Sequence, residues 1–373
     1  MRRSLVRPSG FWARLWHEVD WVIVFLTVCI VTLGLINLRS AGGGQWHGYV
    51  RDQANWVVIG SVIMGGLAMI DYRVFHRVAY IVYGAGVGLV IMVSVQGVMI
   101  NSAQRWLDLG LFRFQPSELM KLLLVIGLAR YLQDGTEGKR RLLPGVFYPL
   151  LMVGVPALLV IRQPALSTGI MLTVIGISIF AATRLTLKGT LGLLTLGVLG
   201  FMVAWQSALK NYQRQRIDVW LSPETYPEQG GYQILQARTA VGNGGLFGRG
   251  VGQGTQNILD FVPYGESDFA FAVFAEEWGF VGTTTLLALY LCLVLWAINL
   301  ASQARDRMGA VLSIGVAAMF FWHVVFNVGV VLELFPNTGL PLPFFTHGGS
   351  NVITMMSALG ILMSVSRFRD ARR

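Results

Sequence analysis

ESDFAFAVFAEEWGFVGTTTLLALYLCLVLWAINL, residues 266–300, carries the fold assignment. From Phe280 to Leu300 it holds no charged residue. A helix of that length crosses a hydrocarbon core of about 30 Å. One unbroken helix from 267 to 300 would instead reach about 50 Å. The surplus lies at the start, where Glu266, Asp268, Glu276 and Glu277 stand among aromatic and small apolar residues. On a regular helix Asp268 faces the small side chains of Ala272 and Ala275. Glu276 then lies about 80° round from it, and Glu277 opposite. The acids extend into the interface rather than into hydrocarbon, and they do not form one cluster. A solvated helix end capped by Ser267 would account for them. Ionisable residues at membrane depth are also the first place to look for function.

The rest of the chain has the same character. Of its 373 residues 54% are hydrophobic and 13% charged, where a soluble domain carries about 25% charged. Mean hydropathy is +0.59. Apolar stretches recur near 19–38, 54–71, 78–99, 117–131, 146–161, 166–182, 189–206, 267–300, 309–335 and 349–366. They predict an all-α polytopic membrane protein of about ten transmembrane helices, a single domain over 1–373. Residues 1–18 read as a cytoplasmic or interfacial segment, with Phe11, Trp12, Leu15, Trp16 and Val19 on one helical face. No small-residue cleavage site follows the first apolar run, so that run reads as a retained span.

The net charge of +10 follows the topology. With both termini in the cytoplasm, every inner connection is basic: Arg73 and Arg77, Lys139 to Arg141, Arg184 and Lys188, Arg305 and Arg307, and Arg367 to Arg373. This is the positive-inside pattern, not a nucleic-acid footprint. It leaves residues 207–266 outside, as a large extracytoplasmic loop between helices 7 and 8. The loop's GNGGLFGRGVGQGT (242–255) matches neither glycine-rich nucleotide signature. Cys29 and Cys292 sit inside apolar runs, and no zinc-ligand spacing appears.

Three further polar stretches lie on the same outer side. INSAQRWLDLGLFRFQPSELMKL (100–122) opens a helix at Pro116, with Ser117 and Glu118 as capping groups and Lys121 one turn in. Arg105 and Arg113 precede it. Capping and snorkelling would explain these residues; a cationic site for an anion is the alternative. LKNYQRQRIDVWLSPE (209–224) crowds Lys210, Arg214 and Arg216 where positive charge is disfavoured. Arginine offers a fork that matches phosphate oxygens. LFPNTGLPLPFFTHGGSN (334–351) is a rigid connector, either plain punctuation or the lining of a cavity.

Together these stretches resemble the SEDS family, the shape, elongation, division and sporulation proteins. The resemblance rests on QRWLDLGLFRFQPSE (104–118), YQRQRI (212–217), GGLFGRG (244–250) with GTQ (254–256), the DF of ESDFAFAVFAEEWGFVG (266–282) and TGLPLPFFTHGGS (338–350), in family order. It covers nearly the whole chain. RWLDLGLFRFQPSE is more similar to the elongation branch (RodA) than to the division branch (FtsW). The resemblance implies a ten-span fold and a peptidoglycan glycosyltransferase that polymerises lipid II on the outer face of the cytoplasmic membrane, in elongation and shape maintenance. It implies a class B penicillin-binding transpeptidase as partner, among other elongation-complex membrane proteins and membrane lipids. It places the catalytic aspartate at Asp268 and the family's cationic positions at Arg105, Lys121, Arg214 and Arg216, with Glu118 beside Lys121 in the substrate-binding set. One departure stands out: the usual QPDLGT reads QPALST (163–168), with Ala165 in place of the acid.

The implied reaction suits this inventory. A sugar hydroxyl attacks the anomeric carbon of a lipid-linked sugar, and polyprenyl pyrophosphate leaves with inversion. One general base serves the hydroxyl, cations serve the leaving group, and pyrophosphate needs no acid. No cofactor is required. A divalent cation, magnesium or manganese, would be compatible with the pyrophosphate, though the sequence holds no dedicated cage. Two other functions stay open on sequence: a lipid-linked oligosaccharide flippase or transporter, which would show midplane charges and paired broken helices, and a non-enzymatic scaffold, which would leave Asp268 dispensable.

Overall fold

The structure, a computed structural model, describes residues 18–43, 48–100, 103–108, 110, 113–134, 142–183, 211–259, 261 and 265–369. Its long helices are α1 (Trp21–Ala41), α2 (Tyr49–Met69), α3 (Arg73–Gln96), α4 (Pro116–Asp134), α5 (Leu142–Arg162) and α6 (Leu166–Thr183). Three shorter helices follow, α7 (Asn211–Leu221), α8 (Gly231–Gly244) and α9 (Thr255–Ile258). Then come α10 (Ala270–Gln303), α11 (Arg307–Val331) and α12 (Gly349–Phe368). The long helices match the expected spans except the seventh, 189–206, which lies outside the described residues. So does the N-terminal segment through residue 17.

Among the described residues α1, α3, α10, α11 and α12 are long and apolar enough to cross a membrane. The apolar cores of α5 and α6 are shorter, Phe147–Arg162 and Leu166–Ala182. In α2 and α4 charged residues interrupt the apolar run: Arg51 and Asp52 in the one, Glu118 and Lys121 in the other. The protein is therefore a multi-pass membrane protein built almost wholly of helices.

Helix α12 is the centre of the bundle, with 89% of its apolar window buried, against 22% for α3 on the rim. It packs along α2 and also meets α4 and α11. Buried side chains tie the helix ends at one face of the bundle. Asp20 caps α1, accepting from Ile23 N at 3.4 Å, and also takes Ser366 Oγ of α12 at 2.6 Å and Trp296 Nε1 of α10 at 3.1 Å. Asp306 caps α11 through Gly309 N at 2.8 Å and accepts Tyr72 OH at 3.0 Å. The described parts of the connection between α3 and α4 (97–100, 103–108, 110 and 113–115), with 163–165 and 332–348, lie at the opposite face, together with α7, α8 and α9.

One element departs from the all-helical expectation. Val98–Ile100 (β1), Ala103–Asp108 (β2) and Arg113–Phe114 (β3) form a small antiparallel sheet, with a bulge between Val98 and Met99. β1 and β3 fall below the length at which a period of two can be read, and β2, AQRWLD, does not alternate apolar with polar residues. The sheet fixes the main chain of Arg105.

Candidate active site

The expected surplus of α10 is resolved by a break. Gly279 has φ 64° and ψ −164° inside the helix. That conformation favours glycine, and a Cβ there would lie 2.3 Å from Gly248 N. The break opens the helical bonds from residues 280 and 281 back to 276 and 277. The glycine-rich stretch replaces both. Phe280 N donates to Gly245 O at 2.9 Å and Val281 N to Leu246 O at 3.0 Å. From the other side Arg249 N donates to Glu276 O at 2.9 Å and Gly250 N to Glu277 O at 3.0 Å. All four freed groups are satisfied, as buried backbone must be. GNGGLFGRGVGQGT is a clamp on a broken helix.

This corrects the regular-helix geometry assumed for the four acids. Glu276 and Glu277 are buried at 0% and 1% exposure and serve the clamp. Glu276 accepts Thr255 Oγ1 at 3.0 Å and Gln256 N at 3.1 Å. Glu277 accepts Ser40 Oγ from α1. Asp268 precedes the helix altogether, in the turn 265–269, and is half-buried.

The turn holds Asp268 against the 334–348 segment. His347 N donates to Glu266 O at 3.0 Å. A Cβ on Gly339 would stand 3.5 Å from Asp268 Oδ2, so the main chain of that segment forms the wall beside the carboxylate. Arg216, exposed on α7, reaches the same wall through Asn337 O at 3.0 Å. Arg105 donates from β2 to Pro164 O. Burial pushes the Asp268 carboxyl above the usual carboxylate range; Arg216 opposes the rise, Glu266 adds to it, and Arg105 opposes it more weakly. The structure thus brings Arg105 and Arg216 to the aspartate. Arg214 is two residues along α7, about 200° round the helix, and is not among the charges acting on it.

Lys121 and Glu118 stand apart from Asp268 and are not among the charges acting on it. Their side chains are 0% and 4% exposed, and Lys121 Nζ lies 2.8 Å from Glu118 Oε2. Lys121 Nζ is also 2.8 Å from His323 Nε2, and Asn351 Nδ2 donates to Glu118 Oε2 at 2.7 Å. The pair is closed on all sides by α4, α11 and α12. Ala165, at the departure from QPDLGT, is 2% exposed and follows the carbonyl that Arg105 holds.

Sequence reading missed Asn327 and His323 on α11 and Gln53 on α2. Gln53 Nε2 donates to Thr346 O at 3.0 Å, while its Oε1 accepts Gly348 N at 3.2 Å. For two of them the signal was present: His323 and Asn327 are polar side chains inside an apolar run, four residues apart on one face, whereas Gln53 sits among polar neighbours. Among the described residues no group of three or more His, Cys, Asp or Glu is placed to hold a metal.

Residues 15–371 match the FtsW/RodA/SpoVE family of cell cycle proteins. The peptidoglycan glycosyltransferase MrdB of Escherichia coli K12 is 34% identical over 360 residues, 96% of each chain. Stage V sporulation protein E of Bacillus subtilis 168 is 34% identical over 94% of this chain and 97% of its own. The crystal structure of the rod shape determining protein RodA of Thermus thermophilus superposes with a TM-score of 0.72 at 29% identity, over 95% of this chain and 99% of that one. A chain of a peptidoglycan synthase complex, solved for its coordination of polymerization and crosslinking, gives a TM-score of 0.82 at 32% identity, with the same coverage. The chain belongs to the FtsW/RodA/SpoVE family.

Proposed function

We infer that Asp268 is the general base of the peptidoglycan glycosyltransferase reaction this chain carries out, with lipid II as its substrate. The observation that carries the reading is the local inventory. One half-buried carboxylate has two arginines acting on it, Arg216 and Arg105, and a wall of bare main chain beside it at Gly339. Asp268 takes the proton of the attacking sugar hydroxyl. Its raised affinity for protons suits that task better than an ordinary surface carboxylate would. Arg105 and Arg216 neutralise the leaving pyrophosphate, and Arg214, on the same short helix, adds to the field that draws it in. Glu118 and Lys121 act as frame: they are sealed in the bundle and reach the site through other side chains. A divalent cation arriving with the pyrophosphate would meet two carboxylates, Asp268 and Glu266, and the described residues offer no third ligand beside them.

The reading places the 211–266 face outside the cell, as the basic inner connections support. An impermeant thiol reagent should label Ser222→Cys or Gln253→Cys without lysis of the inner membrane; labelling only after lysis would reverse the orientation. The partner is a class B transpeptidase, the cross-linking kind of enzyme that the synthase-complex neighbour works beside. Polymerisation of purified lipid II by the purified chain, alone and with that partner, tests the function. Glycan strands that appear at the same rate with Asp268→Asn would sink the assignment of the base.

A further inference from the structure

Asn327 ties the main chain of Asp268 to the segment beside it. It is 2% exposed. Its Nδ2 donates to two main-chain carbonyls from different segments, Leu340 O at 2.9 Å and Asp268 O at 3.3 Å. One turn earlier on the same face of α11, His323 Nδ1 lies 2.9 Å from Pro341 O. The other ring nitrogen faces Lys121 Nζ at 2.8 Å. An ammonium only donates, so Nε2 accepts and Nδ1 carries the proton that Pro341 O receives. Lys121 is held by Glu118, and Glu118 by Asn351. A line of hydrogen bonds therefore runs from α4 and α12 through His323 of α11 to the carbonyl of Pro341, and Asn327, one turn further along α11, separately holds that of Leu340. The next residue along, Gly339, is the wall of Asp268.

Two features separate this arrangement from routine satisfaction of buried polar groups. Among the described residues no hydrogen bond reaches the Asp268 carboxylate, so its aim depends on its main chain and on the wall beside it. Asn327 Oδ1 is buried without a partner, at a cost of about 1–3 kcal/mol. An amide kept only for stability would be matched on both ends.

We propose that Asn327 is a positioning residue of the transfer reaction, fixing the main chain of Asp268 to that of Leu340. His323 is its companion, relaying the fixed position of the Lys121–Glu118 pair to Pro341. This rests on Asp268 as the base. A shift of about 1 Å at a reacting group costs around 10²-fold in rate, so the tether acts on turnover and not on substrate affinity.

The test uses the purified full chain with lipid II, reading kcat and KM separately, and thermal unfolding in parallel. Asn327→Leu should lower kcat by about 10²-fold with KM unchanged. A second pair works at a gentler site. His323→Asn keeps a donor where Nδ1 stood; His323→Gln keeps an amide where Nε2 stood. His323→Asn should retain the higher kcat, since the contact to Pro341 is the one that reaches the site. Parental kcat in Asn327→Leu, a loss confined to KM, or His323→Gln outperforming His323→Asn would each overturn the proposal. If Asn327→Leu does not fold, the His323 pair decides. Asp268→Asn runs alongside: if it turns over normally, the base assignment has failed, whereas an inactive Asp268→Asn beside a fully active Asn327→Leu refutes the tether alone.

Discussion

Glu118 and Lys121 close on each other inside the bundle, 2.8 Å apart, with His323 and Asn351 taking up their remaining contacts. Asp268 and Arg216 do the opposite. Each borders the same 334–348 segment, yet no ion pair joins them, and Arg216 spends one nitrogen on a carbonyl of the wall. The first group resembles a buried pair that serves structure; the second leaves charge available to something that is not protein. Charge alone does not mark a substrate site. Whether the charges are already matched does.

The largest effect that could break this contrast belongs to Asp268. At matched expression, Asp268→Asn should reduce glycan polymerisation by about 10²–10⁴-fold with the fold intact, while Glu277→Gln, which alters a clamp residue, should stay near the parental rate. Equal losses in both would erase the distinction between open and structural acids. Next comes the sealed pair. Lys121→Met strands a carboxylate in the bundle, and thermal unfolding in detergent should register a loss of about 3–5 kcal/mol. Adding Glu118→Leu should return much of it, because a pair replaced together leaves no stranded charge. A Lys121→Met protein of parental stability that fails only in lipid II binding would move Lys121 back to the open group.

Smaller effects sharpen the open side. Arg216→Ala and Arg105→Ala should each weaken lipid II binding by about 1.5–3 kcal/mol, with Lys only a partial substitute for the lost fork. The same change should move the acid limb of the pH–rate profile. Asp268 must be deprotonated to act, and Arg216 holds its pKa down. Arg216→Ala therefore shifts the limb to higher pH, and Glu266→Gln, which removes an upward push, shifts it to lower pH. Limbs that do not move would separate Asp268 from both neighbours. The smallest effect is at Ala165. Ala165→Asp restores an acid next to the carbonyl that Arg105 holds, and polymerisation should survive it. Complete loss would mean that this corner has been rebuilt around alanine.

Much of this was legible in the chain. Long uncharged runs pointed to the helices, since lipid leaves no other way to satisfy backbone, and the motifs pointed to Asp268, Arg105, Arg214, Arg216, Lys121 and Glu118, of which Arg105 and Arg216 act on Asp268. What escaped was set by contacts far apart in sequence. Nothing local says that Gly279 breaks a helix, because the break is stable only with residues 245–250 docked on it. Nothing local says that Lys121 is sealed, because His323 and Asn351 arrive some 200 residues later. The strand that carries Arg105, AQRWLD, has no alternation to show its pairing.

The break at Gly279 also bears on bilayer thickness. The lower piece of α10, down to Gln303, spans about 36 Å, more than a typical hydrocarbon core of about 30 Å. Such a helix meets thicker or thinner membranes by changing its tilt. A rigid rod would carry that swing straight to its outer tip. Here the rod ends at a joint whose far side is fastened to other parts of the protein, through Arg249, Gly250 and Ser40. That fastening should insulate the carboxylate from the membrane's mechanics. Turnover measured in vesicles of graded acyl length should stay flat, and Gly279→Ala, whose Cβ would meet Gly248 N and unseat the clamp, should make it depend on thickness.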